Sequence, residues 1–302
     1  MQCAPDFVKS MSVKIPIIAS AWAVLTVSSS FSADIPALEK KASQGDAGAQ
    51  FELARDYLRG DGVKKDPVRA LELMTAAARQ GHAEAMGGVG YFYASGTAVP
   101  RDPAMAIEWF RKGAEAGGAK AQLNLGKALL DGRGGEKNET EGRKWIQAAA
   151  DQGQPDAAYA MGAIFYFGTH GQAMDYKAAY PYLLTAAEAG HPEAQNTVGV
   201  MLENGQGVAI DASMAEEWFR RAAKQGHTKA QSSLGRLLGP EVQDPARRIE
   251  ALTWLLVAAK NGEITAQKML DEVLQGTSPN DLAQAQRLAD DVRKSLRASS
   301  VK

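Results

Sequence analysis

Residues 81–116 read GHAEAMGGVGYFYASGTAVPRDPAMAIEWFRKGAEA, and most of the chain repeats this unit. The glycine that opens the unit recurs at spacings of 36, 36, 36, 37, 36 and 36 residues, as Gly45, Gly81, Gly117, Gly153, Gly190, Gly226 and Gly262. A fixed period of this length is the signature of a solenoid, in which each unit packs on its neighbours. The sequence therefore predicts six tandem units over residues 45–261.

The first half of each unit has the pattern of an amphipathic helix. Counted from the alanine four residues after the glycine, the fourth position is apolar, the fifth is small and the eighth is large, as in Val89, Gly90 and Tyr93. At 100° per residue these positions form one stripe. We call this segment the first helix and the alanine the column alanine. The small fifth position predicts that another helix passes very close.

The second half of each unit carries its own helix start. Asp66-Pro67, Asp102-Pro103 and Asp244-Pro245 place an N-cap acceptor before a proline at the first helical position. A small pair and then a glycine end this second helix, as a left-handed C-terminal residue requires. The predicted fold is therefore all-α, a right-handed α/α solenoid of helix-turn-helix repeats with a period of 36.

These motifs resemble a known repeat family. The pattern Ala-x-x-x-Leu-Gly-x-x-Tyr-x-x-Gly, then Gly-Val, Asp and Ala-x-x-Trp-x-x-x-Ala-Ala-x-x-Gly, is similar to the Sel1-like repeat, a relative of the tetratricopeptide repeat, in its secreted or periplasmic bacterial type. It is most complete at residues 85–117 and 194–226. The resemblance implies a non-catalytic helical scaffold that binds other proteins.

The resemblance leaves two narrower alternatives open. One is a periplasmic negative regulator that restrains an envelope sensor kinase. The other is an enzyme acting on the cell wall or on β-lactams, because some secreted relatives with a cysteine pair in each repeat are linked with that activity. This chain has one cysteine, Cys3, outside the repeats, which disfavours the enzyme.

Residues 1–32 have the layout of a secretory signal peptide. Lys9 and Lys14 precede an apolar run over residues 15–27, and small residues follow it. Cleavage after Ser32 fits better than cleavage after Ala33, and the true start is either Met1 or Met11. The run is too short to span a bilayer, which disfavours an uncleaved anchor. We therefore expect a periplasmic or secreted protein without a stable membrane anchor.

The predicted terminal helices and the balanced net charge bear on oligomeric state and on nucleic-acid binding. Residues 33–44 predict an N-terminal capping helix, and residues 262–302 predict a partial seventh repeat with a C-terminal capping helix. Such caps favour a monomer. The chain has 34 basic and 35 acidic residues, so it offers no basic footprint for nucleic acid.

A search for chemical motifs predicts no catalytic residue, no cofactor and no metal ion. His82, His191 and His227 fall in one column after the repeat glycine, so they are predicted to be turn residues. Neighbouring packed helices lie roughly 8–10 Å apart, too far for these histidines to share one zinc ion. The glycine-rich string at residues 132–137 lacks the Gly-Lys-Ser/Thr ending of a phosphate-binding loop.

The first helices carry the best signal for binding. Positions two, six, nine and ten after the column alanine lie opposite the packing stripe, on what is usually the concave side of stacked hairpins. We predict that a protein or peptide partner binds there, through Phe51, Arg55, Tyr91, Leu123, Lys127, Tyr159, Tyr166, Phe167 and Asn196. The alternative is that some of these side chains pack between neighbouring repeats.

Overall fold

The computed structural model describes residues 34–239, 244–274 and 277–300, with side chains to residue 298, so the signal segment predicted at residues 1–32 lies outside it. Within these ranges the chain is all-helical, as the sequence predicted. The helices are α1 Ile35–Ser43, α2 Ala47–Arg59, α3 Pro67–Arg79, α4 Ala83–Ser95, α5 Pro103–Glu115, α6 Ala119–Asp131, α7 Glu139–Asp151, α8 Pro155–Phe167, α9 Tyr176–Glu188, α10 Pro192–Asn204, α11 Ala212–Lys224, α12 Thr228–Leu238, α13 Pro245–Lys260, α14 Ile264–Val273 and α15 Pro279–Ser300.

Repeats 1 to 6 are the helix pairs α2/α3, α4/α5, α6/α7, α8/α9, α10/α11 and α12/α13. Each first helix packs against the second helix of its own pair, and each second helix packs against the next first helix. This regular stacking confirms the α/α solenoid. No helix in the described ranges is long and apolar enough to cross a membrane.

The predicted start and stop residues set the helix lengths. The Asp102 carboxylate accepts hydrogen bonds from the backbone N–H groups of Ala104 and Met105, both at 3.0 Å, and so caps α5. Gly96 ends α4 with φ +75°, a left-handed conformation that favours glycine. The same arrangement recurs along the chain, and α2 to α11 each have 13 residues.

The small fifth position is where the two helices of a repeat cross. A Cβ atom on Gly126 would lie 2.7 Å from the carbonyl oxygen of Gly142, in the second helix of the same repeat. A Cβ atom on Gly235 would lie 2.6 Å from Cγ of Leu255. The prediction of a close helix approach is therefore confirmed, and the partner is the second helix.

A column of buried glutamines joins successive repeats, and sequence reasoning missed it. The side-chain amide of Gln122 donates to the carbonyl oxygen of Ala114 at 3.2 Å and accepts from Gln152 at 2.7 Å. The same pair of bonds recurs at Gln50, Gln195 and Gln231. Each of these amides is a second donor to a backbone carbonyl that already accepts from the N–H of the repeat glycine, as the Ala114 oxygen does from Gly117 at 3.0 Å.

Further helices flank the six pairs. At the amino-terminal side, α1 packs on α2, and Gln50 donates to the Ala42 carbonyl oxygen of α1. At the other side, α14 and α15 both pack on α13. Lys260 Nζ lies 2.9 Å from the Asp290 carboxylate and links α13 to α15.

Candidate binding face

We call the surface formed by positions two, six, nine and ten after each column alanine the first-helix face. The structure divides the residues predicted there into three groups. Tyr91, Lys127 and Phe167 are exposed, with 52% exposure for Tyr91 and 61% for Phe167. A partly buried group consists of Phe51, Arg55, Tyr159, Tyr166 and Asn196. Leu123 is buried.

The expected exposure of Leu123 is wrong, because its side chain is only 4% exposed. Leu123 belongs to a buried cluster with Ile146, Ala157 and Met161, so it packs between repeats 3 and 4. The physical reason is that a first helix contacts the next repeat as well as its own second helix. Position two faces that junction, which is the alternative that the sequence left open.

Aromatic residues at position two stack on the histidines of the next repeat. The ring centres of Phe51 and His82 lie 4.6 Å apart, and those of Tyr159 and His191 lie 4.2 Å apart. Each histidine is the N-cap of the following first helix, since His191 Nδ1 accepts from the backbone N–H of Ala194 at 3.3 Å. Phe51 and Tyr159 therefore join repeats, and burial raises the pKa of the Tyr159 hydroxyl.

The histidine caps are residues whose role sequence reasoning described only as turn formation. A histidine directly before the first helix takes the place that Asp46 has before α2, where its carboxylate accepts from the Ala49 N–H at 2.7 Å. The alignment of these histidines with Asp46 could have predicted their capping role from the sequence. At His227, whose Nδ1 accepts from the Ala230 N–H at 3.1 Å, this role requires a neutral imidazole with its proton on Nε2.

The remaining partly buried residues, Arg55, Tyr166 and Asn196, differ in their polar contacts. The Arg55 guanidinium lies 2.8 Å from the Glu52 carboxylate and 5.7 Å from the centre of the Phe51 ring. The Tyr166 hydroxyl donates to Gln206 at 3.0 Å. The buried side-chain oxygen of Asn196 has no hydrogen-bond donor among the described residues.

The exposed residues meet at two neighbouring cavities, each of about 190 Å³. The first cavity lies among α4, α5 and α6, and the second lies along α6 and α8 and includes Ile146 of α7. Both are lined by Lys127 and Asp131, while Tyr91 lines the first and Phe167 the second. We call the two cavities together the Lys127 groove. The structure thus brings Tyr91, Lys127 and Phe167 to one continuous surface.

The first cavity of the groove carries excess positive charge. Its charged lining residues are Arg101, Lys127, Arg133 and Asp131. The carboxylate of Asp131 forms an ion pair with the Arg133 guanidinium at 2.9 Å. Lys127 makes no ion pair or hydrogen bond with any residue of the described ranges. The groove therefore offers an apolar wall beside an ammonium group without a compensating charge.

Chemically, the groove is suited to binding. Side chains such as Pro103, Ile107 and Phe110 supply apolar surface, and Lys127 and Asn124 supply donors. Over the part of the chain that the structure describes, no group of three or more histidine, cysteine, aspartate or glutamate residues is placed to hold a metal ion.

Comparisons with solved structures find several similar chains. A Sel1 repeat protein from Oxalobacter formigenes is 29% identical over 72% of this chain and 86% of its own, with a TM-score of 0.61. A Sel1 repeat protein from Klebsiella pneumoniae subsp. pneumoniae is 20% identical over 67% and 97%, with a TM-score of 0.47. Immunity protein Pa5087 from Pseudomonas aeruginosa is 18% identical over 82% and 81%, with a TM-score of 0.45.

No curated protein matches the chain. The family model described as the Sel1 repeat matches five consecutive segments, residues 47–82, 83–118, 119–154, 155–191 and 192–227. These segments contain the helix pairs α2/α3 to α10/α11 and cover more than half of the chain. The chain therefore belongs to the Sel1 repeat family.

Proposed function

We propose that this protein is a non-catalytic scaffold that binds a partner protein through its first-helix face, at the Lys127 groove. Sel1-repeat proteins generally mediate protein–protein interactions. The observation that carries the proposal for this chain is the pair of exposed aromatic rings, Tyr91 and Phe167, on either side of Lys127. Exposed aromatic side chains grouped on one surface are typical anchors of protein interfaces.

Part of the predicted face has a different role in this proposal. Phe51, Tyr159 and Leu123 contact neighbouring repeats, so they shape the scaffold. Tyr91, Lys127 and Phe167 have free surface and form the binding centre. Arg55, Tyr166 and Asn196 line neither cavity of the groove and remain predicted contacts.

Site-specific photo-crosslinking tests the proposal. A photoreactive phenylalanine analogue replaces Tyr91 or Phe167, and in a control it replaces Glu108, which is exposed on the second helix of repeat 2. We expect the same protein adduct from both groove positions and none from Glu108. Adducts of equal yield from Glu108, or adducts from Glu108 alone, would show that the first-helix face is not the binding surface.

The proposal includes a periplasmic or secreted location and a monomeric state. The support for the location is the signal layout of residues 1–32, with Lys9 and Lys14 before the apolar run. Expression of the full chain in a Gram-negative host, followed by cell fractionation and mass determination, tests it. We expect a periplasmic product that begins at Ala33, and a full-length cytoplasmic product would contradict the expectation. Sedimentation of the same product gives its oligomeric state.

A further inference from the structure

An ion pair closes the first-helix face between repeats 5 and 6. Arg236 of α12 donates to the Glu203 carboxylate of α10 at 2.6 Å. The Glu203 side chain is 15% exposed and the Arg236 side chain is 45% exposed. Glu203 is at position nine of its repeat, and Arg236 is at position six of the next one.

The same two positions in repeats 2 and 3 hold Ala94 and Lys127. Like Glu203 and Arg236, they are 33 residues apart in the chain. Both line the first cavity of the Lys127 groove. Repeats 2 and 3 therefore keep the cation at position six, while the carboxylate at position nine is replaced by a methyl group.

We propose that the first cavity accepts the carboxylate of an acidic side chain from the partner, which takes the place that Glu203 has in repeat 5. This inference rests on the proposed function and names the chemistry of the partner. Lys127 binds the carboxylate, and Asn124, one turn earlier on α6, adds an amide donor that has no partner within the described ranges. Arg101 and Arg133 add positive charge at the rim.

The occupant is an extended peptide segment of a protein, with a large apolar residue beside the aspartate or glutamate. Tyr91 is 52% exposed next to the cavity, and the cavity wall includes Ile107 and Phe110. A small carboxylic acid would neutralise Lys127 and leave this apolar surface in water. A peptide covers both, which matches the charge and the apolar surface of the groove.

Selection from a random peptide library tests the proposal. The full chain is immobilised and offered seven-residue peptides that are acetylated at one end and amidated at the other, so that side chains supply the only carboxylates. We expect the retained peptides to be enriched in aspartate or glutamate next to an aromatic or large aliphatic residue. Lys127→Glu should reverse the charge preference, and Lys144→Glu, the same charge change on exposed α7, should not.

One selected peptide is then measured with variant proteins. Lys127→Gln should weaken binding about tenfold, since one hydrogen bond to a charged group contributes that order of affinity. Replacing the peptide glutamate with glutamine should weaken it similarly, and the two changes together should cost less than their sum. Ala94→Glu places a carboxylate inside the cavity and should compete with the peptide, whereas Ala94→Gln should weaken binding less.

The proposal is overturned if no peptide is retained, if the retained peptides show no acidic preference, or if Lys127→Glu binds as the Lys144→Glu control does. Circular dichroism spectra establish that each variant keeps its helices. The photo-crosslinking from Tyr91 separates this failure from that of the proposed function. A protein adduct at Tyr91 without an acidic preference means that the face binds protein by another chemistry.

Discussion

Repeats 2 to 4 and repeats 5 and 6 have the same packing and different surfaces. Both regions place glycine where the helices of a pair cross, as at Gly126 and Gly235. On the first-helix face, repeats 2 to 4 expose Tyr91 and Phe167 around Lys127, which has no ion-pair partner in the described ranges. Repeats 5 and 6 close the corresponding surface with the Glu203–Arg236 ion pair. The fold is thus specified by columns that both regions share, and binding is specified by positions that the columns leave free.

The largest expected effect tests the shared packing. Gly126→Ala should destabilise the protein by about 1–3 kcal/mol, although alanine favours helix, because its Cβ would meet the backbone oxygen of Gly142 at 2.7 Å. Gly235→Ala should cost less, since its 2.6 Å contact is with the Leu255 side chain, which is able to move. Urea unfolding followed by circular dichroism measures both, with Lys144→Ala as an exposed control.

If Gly126→Ala is as stable as the parent chain, the crossing is looser than the structure shows. If Gly235→Ala is destabilised and Gly126→Ala is not, the two regions differ in packing as well as in surface. Either result would contradict the statement that the two regions share the same helix packing.

The next effect concerns the buried amides that both regions share. Gln122→Ala and Gln231→Ala should each cost about 1–2 kcal/mol, because each removes two side-chain hydrogen bonds, one to the preceding repeat and one within its own repeat. Gln231 is fully buried and Gln122 is 6% exposed, so the cost should be similar in the two regions. Gln267→Ala, on an exposed site of α14, is the control in the same urea titration. A cost equal to that of the control would show that the amides are dispensable.

The sequence predicted the helices well because their signals are local. Asp102 and Pro103 start α5, and Gly96 ends α4, by bonds within a few residues. The glycine column was also readable, since its regular recurrence reports a close helix approach. These features depend on the angle of a residue around its own helix, which the sequence period fixes.

The binding face was less predictable because it depends on contacts between repeats. Tyr91 and Leu123 both lie outside the packing stripe of their helices, yet one is 52% exposed and the other 4%. The difference arises from the following repeat, which covers position two and leaves position six open. The pairing of Glu203 with Arg236, 33 residues apart, likewise requires the register between two repeats, which one helix pattern does not contain.

A smaller effect tests the closed surface of repeats 5 and 6. Glu203→Ala should lower stability by no more than about 1 kcal/mol, because Arg236 is partly exposed and surface ion pairs contribute little. The loss should shrink in 1 M salt, which screens the pair. Ala94→Gln, at the same position in repeat 2, is the control: it changes no charge, so its effect on stability should not depend on salt. Thermal unfolding at low and high salt measures the effect, and a large salt-independent loss would mean that Glu203 acts through packing.

The smallest expected effect depends on pH and concerns the caps of the two regions. His227 caps α12 by accepting from the Ala230 N–H at 3.1 Å, and burial lowers its pKa from the usual 6.5. The charges of Lys229 and His191 lower it further, while Glu193 opposes them. Below pH 6.5 the unfolded chain therefore takes up a proton that the folded chain resists, so stability falls as the pH falls.

The corresponding caps of α6 and α8 are Gly118 and Gln154, which do not titrate in this range. Acidification from pH 7.5 to 5.5 should therefore increase amide hydrogen exchange in α12, after correction for the intrinsic rate, more than in α6 or α8. His227→Gln provides a cap of the kind that Gln154 forms with the Ala157 N–H, and it should abolish the difference. If exchange in α12 of that variant still rises with acid, groups other than His227 make this region of the solenoid sensitive to pH.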